Sequence, residues 1–226
     1  MTTLPPLQSD VRRVVFERLG ASGAAPSIAA IASELGVADD DVRGALEELH
    51  QGHHLVLAPE GDSVRMAHPF SAAPMAFVLR APGDDRLWWG GCAWDSFGIV
   101  AAVGEELEIT TRCPHCRRTL TYTAGPGTAP PDQYVIRIPR PAAEWWDDVV
   151  QTCTNIRIFC DEDHARSFVN ENEVPEGALV PAETMWKLAL TWYGDRLDPD
   201  YVPQSRDERQ RQLTEAGLSG DFWQLP

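Results

Sequence analysis

The sequence predicts an α+β protein. A winged-helix-like helical module spans residues 1–70, and a second domain, residues 71–226, places helices around a small antiparallel sheet. Three observations carry this expectation. The first seventy residues show apolar positions at helical spacing in three short runs, followed by two strand-like runs joined by a turn. Between residues 76 and 160, short β-type runs alternate with Gly/Pro turns. Finally, 226 residues, 43% of them apolar and eight of them tryptophan, suffice for a sizeable core.

Taken in order, Asp10 is a candidate cap for a helix over 11–19, with Val14, Val15 and Leu19 on one face. Ser27 caps a second helix carrying Ile28, Ile31 and Leu35. After the turn at Gly36-Val37, Asp39-Asp40-Asp41 open a third helix with Val42, Leu46 and Leu49. Strands are expected near 54–58 and 63–67. In the second domain, 76–80, 107–111, 119–123 and 134–138 read as strands, and 97–103 as a buried helix. A short helix opens at 144–148 and leads to Cys153. Residues 155–160 form a strand, and Asp161-Glu162-Asp163 cap a helix containing His164. An amphipathic helix over 181–197 and a polar one over 205–215 complete the chain.

Composition narrows the function. The net charge is −15, which opposes wide contact with nucleic acid or an anionic membrane. Residues 1–70 hold five arginines against ten acids, and the would-be recognition helix begins with three aspartates. Nucleic acid is therefore not the expected partner. No stretch approaches the roughly 18 apolar residues of a membrane span. The N-terminus lacks the basic and apolar segments of a secretory signal, so the expected location is cytoplasmic. Five cysteines in such a chain point to thiols or metal ligands rather than a disulfide framework.

The most informative stretch is Trp88-Trp89-Gly90-Gly91-Cys92-Ala93-Trp94-Asp95-Ser96. Positions i and i+3 of a helical turn share a face, so the Cys92 sulfur and the Asp95 carboxyl can enter one cavity. A thiolate is a soft nucleophile and metal ligand, and an apolar pocket would favour a protonated carboxyl. The same spacing also describes a buried structural thiol beside a helix-capping aspartate.

This segment resembles the active-site helix of the organomercurial (alkylmercury) lyases. The resemblance continues at Cys153, which with Ile156-Arg157-Ile158-Phe159 and the capped helix after it matches the family's second cysteine and the strand that follows. The likeness runs over most of residues 10–195. It implies a carbon–mercury lyase that releases a hydrocarbon and Hg(II). Cys92 and Cys153 would hold mercury between two sulfurs, while Asp95 would protonate the leaving carbon. Trp88, Trp89 and Trp94 would exclude water and receive the organic group. The resemblance implies no organic cofactor, and a mercuric reductase or a small thiol as acceptor of the Hg(II) product.

Cys113-Pro114-His115-Cys116 has the C-x-x-C spacing of a zinc knuckle, and Cys160 and His164 form C-x-x-x-H at a strand-to-helix junction. Together they describe a candidate Cys3His zinc site. The alternative is that these cysteines are free thiols, or pass mercury onward, with His164 at the surface. Two other functions also remain open at this level: a relative acting on another soft-metal or organometallic species, and a metal-responsive winged-helix regulator.

Overall fold

The computed structural model describes residues 4–226. The first helix, α1 (Pro6–Ser22), begins four residues before Asp10. Pro6 stands in the first turn, where its fixed φ suits the helix and its missing N–H costs nothing. Helix α2 (Ile28–Leu35) is capped as expected, the Ser27 hydroxyl accepting the Ala30 N–H at 3.2 Å. Helix α3 (Asp39–Gln51) follows, its first turn fixed by the Ala38 N–H donating to the Asp41 carboxylate. The three pack together through Val11, Val14, Val15, Ile31, Val42 and Leu46, all buried.

The strands that follow are β1 (Val56–Leu57), β2 (Val64–Ala67), β3 (Phe70–Ser71), β4 (Phe77–Arg80) and β5 (Leu87–Gly90). After helix α4 (Ala93–Val103) come β6 (Leu107–Arg112) and β7 (Thr119–Ala124). These seven strands make one antiparallel sheet in the order β1-β2-β3-β5-β4-β6-β7. The hairpin of the first module is thus the edge of the large sheet, and β3, two residues long, joins β2 to β5 across residue 70. The sequence did not reveal β3, and it read β5 only as a lead-in to Cys92. Both strands are too short to show an alternating pattern.

Strand β8 (Val135–Ile138), helix α5 (Val149–Asn155), β9 (Arg157–Phe159), helix α6 (Glu162–Asn172) and β10 (Ala178–Pro181) form the second layer, with a three-stranded sheet ordered β10-β8-β9. Helices α7 (Ala182–Tyr193) and α8 (Arg206–Glu215) follow. Buried α4 lies against α7, where Trp94 meets Trp192 and Tyr193 and Gly98 meets the Tyr193 ring. Among the described residues, no helix is long and apolar enough to cross a membrane.

Two contacts pin the first module to the strand that leads into Cys92. The Trp88 indole N–H, on β5, donates to the Leu19 and Gly20 carbonyls at 3.0 Å each. Gly23 ends α1 at φ 71, and a Cβ there would lie 2.0 Å from the Leu87 carbonyl oxygen. Only glycine combines that backbone with that approach. From the other end of the chain, the buried Arg12 guanidinium stacks on Tyr201 at 3.5 Å and donates to the Arg196 carbonyl. Burial lowers its pKa to about 10, so it stays charged at neutral pH.

The Trp88 contact yields a measurable expectation. Trp88→Phe removes the donor and leaves two helix-end carbonyls without their indole partner in the core. We expect a loss of about 1–3 kcal/mol in chemical denaturation with an unchanged circular-dichroism spectrum. An unshifted denaturation midpoint would show that the indole bond does not hold α1 to β5.

Candidate active site

The site is built where β5 ends. After Gly90 the chain turns through Gly91 into Cys92, the N-cap of α4, whose sulfur accepts the Asp95 N–H at 3.2 Å. Cys92 and Asp95 therefore share one helix turn, as the i, i+3 spacing predicts. Both are buried, at 2% and 1% exposure. Gly91 is small for a reason. A Cβ there would stand 2.4 Å from the Met66 methyl and 2.7 Å from Asp95 Oδ2.

Cys153 arrives from the opposite side, on the last turn of α5. A backbone bond joins the two segments: the Ala93 N–H, in the first turn of α4, donates to the Ile156 carbonyl at 3.0 Å. Cys153 lines the same pocket as Cys92, and its Cβ lies 3.7 Å from where a Cβ at Gly91, the residue before Cys92, would stand. It also falls in a group with His68 and Asp95 whose ligand atoms all lie within 4.8 Å of one another.

Asp95 is held from two further elements. Its Oδ1 accepts the Tyr193 hydroxyl of α7 at 3.1 Å, and its Oδ2 lies 3.3 Å from His68 Nδ1, just after β2. Burial drives the Tyr193 phenol well above its usual range, with the Asp95 charge adding to the effect, so Tyr193 remains a donor. Burial likewise pushes the Cys92 thiol well up, reinforced by its hydrogen bond with Cys153 and by the Asp95 charge. For Cys153 the bond to Cys92 pulls downward, but burial and Asp95 outweigh it and the thiol is again raised. At rest both cysteines are neutral thiols.

A pocket lies over these groups. Trp94 forms its floor, with Trp145, Trp192 and Tyr193 rings 5.1–5.6 Å from its own. Trp146 closes one side, stacked on His53 at 4.2 Å and edge-on to His68 at 5.8 Å. Arg196 and Arg209 also line the cavity.

Of the expected pocket residues, Trp94 is in place and Trp88 and Trp89 are not. Trp88 is committed to α1, and Trp89, on the opposite face of β5, does not line the pocket. The aromatic wall comes instead from the doublet Trp145-Trp146 and from α7. Neighbourhood in sequence misled here, because successive strand side chains point to opposite faces of the sheet and are claimed by what packs on each face. His68 and Tyr193 gave no motif signal. Trp145-Trp146, just before Cys153, mirrors Trp88-Trp89 before Cys92 and was the cue for the wall.

With this geometry in view, comparison with known proteins is direct. The family model for alkylmercury lyase (MerB) matches residues 70–194. The chain belongs to the alkylmercury lyase family. The matched span runs from β3 to the start of the turn after α7, and so contains Cys92, Asp95, Cys153 and Tyr193. Among solved structures, the mercury-bound form of MerB2 superposes with a TM-score of 0.65 at 21% identity, covering 86% of this chain and 91% of that one. Comparison with curated proteins returns no match.

In this lyase-family pocket, the neutral thiols set a reactivity that can be measured. A thiol raised by one pK unit is about tenfold less ionised below its pKa. We expect Cys92, in the resting protein at pH 8, to react with iodoacetamide at least about tenfold more slowly than a peptide cysteine. Peptide mass spectrometry reads this directly, and equal rates would contradict a buried neutral thiol.

Proposed function

We infer that the chain is an organomercurial lyase in which Cys92 and Cys153 take the mercury and Asp95 carries the proton. The observation that carries this reading is the convergence of two buried thiols and a buried carboxylate, from separate chain segments, at the floor of an aromatic pocket.

Soft sulfur donors select soft metals over the hard cations that a carboxylate–imidazole set would hold. An organomercurial arriving as its thiolate complex exchanges that thiolate for one cysteine, whose proton leaves with the departing thiol. The other cysteine then passes its proton to Asp95 and adds its sulfur to mercury. The second donation pushes electron density onto the Hg–C bond. Carbon keeps the bonding pair and takes the proton from Asp95, releasing R–H. Mercury is left as Hg(II) between two sulfurs, and Asp95 returns to the carboxylate. The atoms balance without an oxidant or an organic cofactor.

The surroundings serve this sequence. Tyr193 and His68 fix the two oxygens of Asp95, which keeps the proton carrier aimed into the cavity. Trp94, Trp145, Trp146 and Trp192 provide an apolar bed for the organic group and keep water from competing for mercury. Arg196 and Arg209 give the same pocket positive charge, which suits a carboxylate-bearing small thiol as the acceptor of Hg(II). A mercuric reductase offering its own thiols would serve in the same way. A regulator built on α3 gains no support, since Asp39, Asp40 and Asp41 are all exposed at its start.

The test is headspace detection of methane or benzene from methyl- or phenylmercury with excess small thiol. Cys92→Ser and Cys153→Ser are each expected to abolish release. Asp95→Asn should still bind mercury while slowing release by about 10²–10⁴-fold, the usual range for loss of a general acid. Undiminished turnover in either cysteine variant would sink the assignment.

A further inference from the structure

Away from the active site, a second cluster of sulfur and imidazole donors joins the two layers of the fold. Cys113 directly follows β6 and Cys116 lies in the β6–β7 turn of the large sheet. Cys160 follows β9 of the small sheet, and His164 sits in the first turn of α6. The four ligand atoms lie within 4.8 Å of one another.

Their separation excludes a disulfide and fits a metal cage. The Cys116 and Cys160 sulfurs are 3.6 Å apart. A disulfide needs about 2.05 Å, whereas two sulfurs at about 2.3 Å from a tetrahedral zinc stand about 3.8 Å apart. The turn is shaped for such a cage. The Cys113 N–H donates to the Arg118 carbonyl and the Arg117 N–H to the Cys113 carbonyl, both at 3.0 Å. Arg117 takes φ 62, the left-handed conformation that folds the turn back on itself. Cys113 and Cys160 are buried. His164 Nδ1 is buried and lacks a hydrogen-bond partner; Asp161 Oδ2 is 3.3 Å away without hydrogen-bond alignment. The neighbouring His115 Nδ1 is likewise buried without a hydrogen-bond partner, 3.2 Å from Glu171 of α6, but it lies outside the group of four ligand atoms.

We propose that Cys113, Cys116, Cys160 and His164 bind one zinc ion that clamps the β6–β7 turn to the β9–α6 junction. Three thiolates and one imidazole in a closed, four-donor shell suit tetrahedral Zn²⁺. Binding displaces the three thiol protons to solvent. The site holds a structural ion, because all four positions are filled by protein. It uses none of the proposed catalytic cysteines, so it stands or falls apart from the lyase reading.

The experiment is metal analysis of the full-length protein, expressed with added zinc and purified reduced without chelator. We expect about one zinc per chain, retained in a Cys92→Ser/Cys153→Ser double variant and largely lost in Cys116→Ser. Replacing zinc by cobalt(II) should give the intense visible bands of a tetrahedral thiolate site. His164→Cys, which preserves four donors if other variants fail to fold, should still bind cobalt but with shifted bands. Less than about half an equivalent of zinc in the wild type would overturn the proposal. So would zinc lost with the Cys92/Cys153 pair instead, or a cobalt spectrum unmoved by His164→Cys.

Discussion

The active site depends on one backbone hydrogen bond, from the Ala93 N–H to the Ile156 carbonyl. The first amides of a helix have no partner within it and must be satisfied from outside. At α4 the Cys92 sulfur takes the Asp95 amide and Ile156 takes that of Ala93. The second of these bonds comes from the residue that ends α5, three positions after Cys153. The two thiols are thereby set relative to each other by main chain rather than by flexible side-chain packing. Substituting side chains in the pocket leaves this joint in place, which suits a reaction that needs two sulfurs on one metal.

A single glycine brings the two partners of Asp95 within reach. Gly98 lies one helical turn beyond Trp94 on α4, and a Cβ there would stand 2.6 Å from both Pro69 and the Tyr193 ring. Because that space is empty, α7 approaches closely enough for the Tyr193 hydroxyl to reach Oδ1. The 68–69 segment comes in at the same place and presents His68 to Oδ2. Close helix packing and carboxylate orientation are thus one constraint. It explains why α7, distant in sequence, supplies both Tyr193 and the Trp192 face of the pocket.

Much of this was legible in the sequence, for identifiable reasons. The α-helices follow from caps and apolar spacing that act locally, as at Ser27, Asp161 and Ser205. Cys92 and Asp95 fall on one turn because i, i+3 geometry is local as well. Local rules cannot say which distant surfaces meet. Trp88 and Trp89 looked like pocket residues from their position, yet β5 hands Trp88 to the carbonyls of α1. His68 and Tyr193 carry no local signature, since their role is defined by Gly98 and the packing of α4 on α7. Continuity of the first module's hairpin with the large sheet was hidden for the same reason. It rests on the two-residue strand β3, which only pairing reveals.

Burial resolves an apparent conflict in the chemistry. A mercury-binding cysteine works as a thiolate, yet both cysteines here are held neutral by the surroundings that exclude water. Each pK unit by which a buried thiol is raised costs about 1.4 kcal/mol when the anion must form. A soft metal cancels that cost, because the thiolate never exists free: sulfur loses its proton as the Hg–S bond forms. Hard cations, which bind thiolate weakly, leave the cost unmet, so the dry pocket sharpens selectivity as well as shielding the substrate. The displaced proton also has few places to go. Tyr193 is a donor, Asp95 and His68 lie within reach of Cys153, and in the proposed reaction Asp95 takes the proton and passes it to carbon. In that proposal the apolar surroundings that suppress the thiolates also direct the proton onto the Hg–C bond.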